Sequence, residues 1–295
     1  MSPFRSGFVA IVGRPNVGKS TLLNTIVGQK VTIVSDKPQT TRNRIQCVWT
    51  TEDSQVVFLD TPGFHRPQDL LGEAMVEAAL EALEEVDAVL FVVDGPAGPG
   101  RGDKIVAETL AKVSTPVLLV VNKLDAAPRR KAEVIERFRE LGTFSATYGI
   151  SGLTGEGVPE LCEAIRACLP EGPKYYPDDW VSDHPERFVA AELIREKLLM
   201  LTRDEVPYSI AVNVERMERD EERDLVRIEA TIYVERESQK GIVIGKNGAL
   251  LREAGTLARR DIERLLGSPV FLKLWVKARP GWRDKESALR DFGYR

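Results

Sequence analysis

The sequence predicts two domains in series, an α/β unit built on a mostly parallel sheet and then a smaller α+β unit. Three observations carry that expectation. Short apolar runs alternate with helix-patterned stretches as far as Cys168, the pattern of a parallel sheet with helices on both faces. The composition then breaks at "LPEGPKYYPDDWVSDHPE" (169–186), which is rich in proline, charge and aromatics and suits an ordered linker. Beyond it the order becomes α–β–β–α–β, which does not continue the first sheet. The expected boundaries are 1–172, a linker at 173–186, and 187–295; a chain of 295 residues is ample for two cores.

In the first domain, 8–12, 56–59, 88–93, 117–121 and 144–150 read as largely buried strands, each a strand-sized apolar run. Helical patterns lie between them at 20–27 (closed by Gly28), 70–85, 104–112, 130–141 and 158–168. In the second, a helix is expected at 186–202, then period-two strands at 209–215 and 225–234 joined by the charged "RMERDEERD". A glycine-framed loop, a helix at 249–266 and a strand at 270–276 follow, and the tail adds a turn at Pro280-Gly281 and a short helix.

Hydrophobic content of 43% and charged content of 29% exclude a disordered or membrane-embedded chain. The apolar runs are too short to span a bilayer, and the N-terminus leads directly into a motif with no cleavable signal expected. Three cysteines and two histidines without metal-ligand spacing argue against zinc and for a reducing, cytoplasmic compartment. The net charge of −4 hides an asymmetry: 235–285 carries twelve Lys or Arg against six Asp or Glu, a net +6, leaving −10 for the remainder. That basic region suits nucleic acid, or a weak peripheral contact with the inner face of the membrane, although no amphipathic anchor stands out.

"GRPNVGKS" (13–20) lies between an expected strand and an expected helix. Gly13, Val17 and Gly18 would let backbone N–H groups converge on phosphate at a helix N-terminus; Lys19 would reach the outer phosphates, and the Ser20 hydroxyl would bind Mg²⁺, with Thr21 beside it. Asn122-Lys123-Leu124-Asp125 closes the apolar run at 117–121. The Asp125 carboxylate can accept from the ring N–H and exocyclic amine of guanine, a donor pair that adenine lacks. The Lys123 stem would cover the base, and Asn122 would tie this loop to the phosphate loop. Ser151-Gly152 follows the last strand, where the Gly152 N–H would meet the guanine carbonyl. Asp60-Thr61-Pro62-Gly63 stands at another strand end, with Asp60 on Mg²⁺ through water and the Gly63 N–H on the γ-phosphate. In "KPQTTRNR" (37–44) one threonine would complete the metal shell; Thr41 is favoured and Thr40 is the alternative. Contacts that exist only with the triphosphate would make these segments switches.

Together these motifs resemble those of the translation-factor-like GTPases, and "GRPNVGKSTLLN", "TTR" and "DTPG" resemble the Era-like bacterial branch. The resemblance implies a P-loop GTPase fold and Mg²⁺-dependent hydrolysis of GTP to GDP, with Lys19, Thr41, Asn16 and Gly63 serving the reaction. In relatives with this loop an asparagine at the place of Asn16 helps bind K⁺, which would offset phosphate charge as an arginine finger does elsewhere. Two departures stand out. Phe64 occupies the place of a water-orienting glutamine in Ras-type enzymes, so hydrolysis would be slow without a partner, and Gly152 replaces an alanine.

Gly245-Lys246-Asn247-Gly248, between "GIVI" and a helix bearing Arg252, Arg259 and Arg260, reads either as a turn favoured by Asn-Gly or as a clamp on a phosphate backbone. It resembles the helix–GxxG–helix of KH domains, in which "GIVI" is helical; the order then becomes α–β–β–α–α–β, the type II form. Lys246 and the arginines would hold phosphates while bases lie in an apolar groove, and no aromatic platform is evident. "GWRDKESALRDFGY" resembles the C-terminal end of Era-family proteins, so the resemblance covers essentially the whole chain. It implies a monomeric GTP/GDP switch that binds RNA near the 3′ end of small-subunit ribosomal RNA during assembly of that subunit. A GTPase joined to an RNA-modifying activity lacks a second catalytic cluster, whereas Phe64 leaves room for a binding module that never hydrolyses its nucleotide.

Overall fold

A computed structural model of the chain describes residues 3–37, 39–64, 67–178, 180–182 and 184–294. Pro38 of the "KPQTTRNR" segment and Asp179 and Asp183 of the expected linker lie outside the described residues. The chain divides into two compact units, Met1–Gln68 with Gly72–Asp183, and His184–Arg295 together with Asp69–Leu71.

In the first unit six strands follow the order β2-β3-β1-β4-β5-β6, with β1 Arg5–Val12, β2 Ile45–Thr50, β3 Ser54–Asp60, β4 Ala88–Asp94, β5 Val117–Asn122 and β6 Ala146–Gly149. All neighbours pair in parallel except β2 and β3. Strands β3, β4 and β5 are almost wholly buried, as near-continuous apolar sequences covered on both faces must be. Alternation along β1 sends Val9 and Ile11 to one face and Ala10 and Val12 to the other. The first face packs on α1 (Lys19–Val27) and α5 (Val158–Cys168) through Leu22, Leu161 and Ile165. The second packs on α2 (Leu70–Glu81), α3 (Arg101–Leu110) and α4 (Lys131–Arg139) through Ala79, Val106 and Phe138. Loops at the carboxyl ends of β1, β3, β5 and β6 therefore meet beside the strand where the order reverses, which is where such sheets bind ligands.

Two features differ from the sequence expectation. Strand β2 is one: "IQCVWT" mixes polar and apolar residues because it is the antiparallel edge of the sheet, half covered. The other is the expected linker, which is built into the first unit. Gln55 is fully buried; its Oε1 accepts from the N–H groups of Tyr175 and Tyr176 at 2.7 and 3.0 Å, and its Nε2 donates to the Tyr176 carbonyl at 2.9 Å. The chain then runs antiparallel to β2, with Val48 N–H donating to the Val181 carbonyl at 3.0 Å and Cys47 facing Ser182.

The second unit runs α6 (Glu186–Leu201), α7 (Val206–Ser209), β7 (Ala211–Asp220), β8 (Leu225–Val234), α8 (Glu237–Ile244), α9 (Ala249–Leu266), β9 (Val270–Ala278) and α10 (Glu286–Asp291). Strand β8 is central, antiparallel to β7 and parallel to β9. "GIVI" closes helix α8, so the α–β–β–α–α–β order holds against the β-branched composition of that stretch. Strand β7 runs further than 209–215 because "RMERD" continues the pairing to Asp220 with an irregularity at Val214/Arg216. Helix α6 is buried on most sides beyond its first turn, and its buried charges are paired: Arg195 with Glu192 at 2.5 Å, and Lys197 with Glu196 and with Asp261 of α9 at 2.7 and 2.5 Å. The tail packs through Trp282, which is fully buried and donates its indole N–H to the Ser209 carbonyl at 2.9 Å. No helix among the described residues is long and apolar enough to cross a membrane.

Helix α9 supplies Ala254, Ala258 and Ile262 to this core, all fully buried. Ile262→Ala should lower the stability of the second unit by about 2–5 kcal/mol, read as a shifted urea midpoint with an unchanged m-value.

Candidate functional site

The turn from β1 into α1 encloses a cavity of about 440 Å³ whose lining includes Asn16, Gly18, Lys19, Ser20, Thr21, Thr41, Gly63 and Lys123. Its glycines are set by close approach. A Cβ on Gly13, whose φ is 155°, would lie 2.2 Å from the Val92 carbonyl oxygen, and one on Gly63 would lie 2.5 Å from the Pro15 nitrogen. Gly18 enters α1 with φ 96°, in the left-handed region.

Lys19 is buried, and its Nζ donates to the carbonyls of Gly13 and Arg14 at 3.3 and 3.1 Å. Burial pulls its pKa down to about 8, against the charge of Asp60. Burial pushes Asp60 up to about 6, opposed by Lys19 and by hydrogen bonds from Ser20 and Thr41. The Ser20 hydroxyl donates to Asp60 Oδ2 at 3.0 Å and lies 3.2 Å from Thr41 Oγ1, which is itself 3.5 Å from Oδ2. Asp60 Oδ1 is buried without a hydrogen-bond partner. Two hydroxyls and a carboxylate with one unused oxygen form a hard oxygen set that fits Mg²⁺ completed by phosphate and water. Of the two threonines, the structure brings Thr41 to this cluster, while Thr40 donates to the Lys37 carbonyl at 2.6 Å.

Asn122 joins three loops. Its Nδ2 donates to the Val17 carbonyl at 2.9 Å, and its Oδ1 accepts from the N–H groups of Lys123 and Gly152, both at 2.8 Å. The Gly152 N–H, expected to meet a base, is thus engaged by Asn122. Ser151 is fully buried and its hydroxyl accepts from the Thr154 N–H at 3.1 Å. Lys123 adopts φ 64° and reaches back to the Asn16 carbonyl at 2.6 Å and Asp94 Oδ2 at 2.7 Å. Asp125 lies exposed in a 3-10 turn, Leu124–Ala126, at the carboxyl end of β5. Asn16, at φ 64°, donates its side-chain N–H to the Asp36 carbonyl at 2.5 Å. Phe64 turns into the core beside Ala10 and Val12.

In the second unit, Gly245 (φ 73°), Asn247 (φ 54°) and Gly248 (φ 75°) all take left-handed φ values between α8 and α9. Lys246 and Asn247 are exposed, and Arg252 donates to the Asn247 carbonyl at 2.8 Å. Beside this loop a groove of about 440 Å³ runs between α9 and β9, lined by Gly248, Leu251, Arg252, Gly255, Thr256, Arg259, Phe271, Leu272 and Leu274. Arg252 and Arg259 share that face of α9, whereas Arg260 is exposed outside the lining. Phe271, half exposed with Arg227 over its ring at 5.8 Å, is an aromatic at the groove that the strand pattern does not single out, since alternation sets it opposite Leu272 and Leu274. An apolar floor with arginines and a glycine clamp suits single-stranded nucleic acid.

The family model described as 50S ribosome-binding GTPase matches residues 8–123, and the KH domain model matches residues 205–283. The chain is 42% identical, over 99% of both chains and with a TM-score of 0.95, to Era in a crystal structure with MgGDPNP and nucleotides 1506–1542 of 16S ribosomal RNA. The chain belongs to the Era family. A crystal structure of a single-residue variant of Aquifex aeolicus Era bound to GDP.AlF4⁻ matches with the same identity, coverage and TM-score. As in the Era family, a P-loop GTPase domain precedes a KH domain, and the chain is a GTPase.

Asp60 yields a pH test on nucleotide-free protein. The folded carboxyl titrates near 6 and its ordinary value is 3.8. Its stabilising contribution is therefore present below about 4 and is lost as pH rises through about 6. Between pH 4 and 7 wild type should lose of order 2–3 kcal/mol relative to Asp60→Asn in urea unfolding; a pH-independent difference would contradict this burial. In the groove, a Cβ on Gly255 would already lie 3.3 Å from Leu274 Cδ1. Gly255→Leu should preserve helix content and weaken single-stranded oligonucleotide binding by about tenfold or more, measured by fluorescence anisotropy.

Proposed function

We propose that this chain is a Mg²⁺-dependent GTP-hydrolysing switch that binds RNA near the 3′ end of small-subunit ribosomal RNA through its KH unit and acts in assembly of that subunit. The observation that carries the reading is the cluster of Ser20, Thr41 and Asp60, with one carboxylate oxygen unused, beside the P-loop that holds Lys19. The RNA bound to Era in its complex supports extending the same partner to this chain, and the GKNG loop with its arginine-flanked groove gives that partner a seat. We assign 1–172 to nucleotide, 173–186 to the join and 187–295 to RNA.

Ser20, Thr41 and Asp60 would hold the metal, which when bound would neutralise charge developing on the transferred phosphoryl group. Lys19 meets the outer phosphates from a dry site, where its charge acts with little screening. Gly63 brings its backbone to the γ-phosphate, so the segments around Thr41 and Gly63 order with GTP and relax with GDP. Asp125 reads guanine, with Lys123 along the ring and Asn122 fixing the geometry of both. Because Phe64 cannot orient water, basal turnover is slow, and K⁺ beside Asn16 supplies compensating charge. The chain works as a cytoplasmic monomer, and its basic groove face is the surface for any weak peripheral membrane contact.

Multiple-turnover GTP hydrolysis with and without a small-subunit rRNA 3′ fragment tests this reading. Stimulation by the fragment is expected, is lost in Lys246→Asp/Asn247→Asp, and is larger in K⁺ than in Na⁺. Absence of turnover under every condition would sink the switch, and equal rates in the two salts would sink the K⁺ role alone.

A further inference from the structure

Lys19 Nζ is oriented by two peptide carbonyls, those of Gly13 and Arg14. Residue 13 is fixed by its neighbours: its carbonyl accepts from the Phe64 N–H at 3.0 Å, and its Cα sits against Val92. Residue 14 is fixed by its own side chain, which turns away from the cavity. Arg14 Nε donates to Asp103 Oδ1 at 2.7 Å. Asp103 is fully buried in the first turn of α3, and its other oxygen accepts from the Gly100 N–H at 2.8 Å, so both carboxylate oxygens are held. Two glycines of "GRGD" clear the path of the arginine. A Cβ on Gly102 would lie 2.5 Å from Arg14 Cδ, and one on Gly100 would lie 3.4 Å from Arg14 Nη1. Gly102 lies inside a helix, where glycine is disfavoured relative to alanine, and the room it leaves for Arg14 accounts for it.

We infer that Arg14 is a positioning residue for GTP hydrolysis: braced on Asp103, it fixes the peptide whose carbonyl aims Lys19 at the phosphates. The strut is semi-buried and charge-assisted, so it resists rotation of that peptide more than a neutral contact would. It touches no nucleotide itself. Its loss leaves the base contacts and most backbone phosphate contacts in place, and costs the alignment of Lys19 where charge develops. The signature is a fall in kcat with little change in GDP affinity, because ground-state binding is shared among many contacts.

The test uses the full chain with Mg²⁺ and saturating GTP under single-turnover conditions, with GDP affinity and thermal midpoint measured alongside. Arg14→Ala should lower the rate by roughly ten- to a hundredfold while GDP affinity changes less than about threefold. Gly102→Ala keeps both partners and favours the helix, yet pushes the Arg14 side chain off its path, and it should lower the rate in the same way. Arg14→Lys should recover part of the loss, and Arg14→Ala/Asp103→Ala should be no slower than Arg14→Ala. Wild-type rates in Arg14→Ala would overturn the inference. Losses of rate, GDP affinity and thermal midpoint in parallel would also overturn it, since they describe a structural role only.

Discussion

Two opposite charges withdrawn from water govern the nucleotide-binding face. Burial drives Lys19 and Asp60 toward their neutral forms, and each opposes the other's discharge, so both stay ionised near neutral pH. Buried charges are tolerated only when their remaining valences are met; here backbone carbonyls meet Lys19, while Asp60 keeps Oδ1 without a partner. Carbonyls of residues 13 and 14 turn inward for the ammonium, and the hydroxyls of Ser20 and Thr41 turn to the carboxylate. The close packing of Gly13 on Val92 and of Gly63 on Pro15 follows from bringing two loops together around that pair.

The two glycine-framed loops solve different problems with the same residue. At 13–18 glycine admits close backbone approach around buried charge. At 245–248 it gives left-handed turns that leave Lys246 and Asn247 in solvent, with nothing within 4 Å of a Cβ on Gly248. The first site holds a buried lysine and carboxylate at a strand-to-helix turn. The second is an open loop of solvent-exposed charge beside an apolar groove.

Much of this was legible in the sequence where a local pattern and the tertiary role agreed. Strand β8 and helices α5 and α9 begin and end where periodicity placed them, because burial follows their pattern. The residues of the P-loop, Asp60 and Asn122 fall together because each closes a strand of one parallel sheet. What escaped depended on partners distant in the chain. β2 is a half-covered edge strand whose place in the sheet rests on its antiparallel pairing with β3. "GIVI" ends helix α8 against the β preference of its branched residues. The Gly152 N–H is taken by an asparagine thirty positions away, and Phe271 belongs to the groove only once β9 lies beside α9.

The segment after α5 has a consequence for solubility. Strand β2 would otherwise present a bare edge, and unpaired edges recruit strands from other chains. Residues 175–178 and 180–182 cover it, through Gln55 at the hairpin end and the Val48–Val181 pairing beyond. A chain cut after Gly172 would retain the P-loop and the Asn122 junction yet expose a template for self-association, so what looks like a tether is also the hem that keeps this sheet from unravelling into its neighbours.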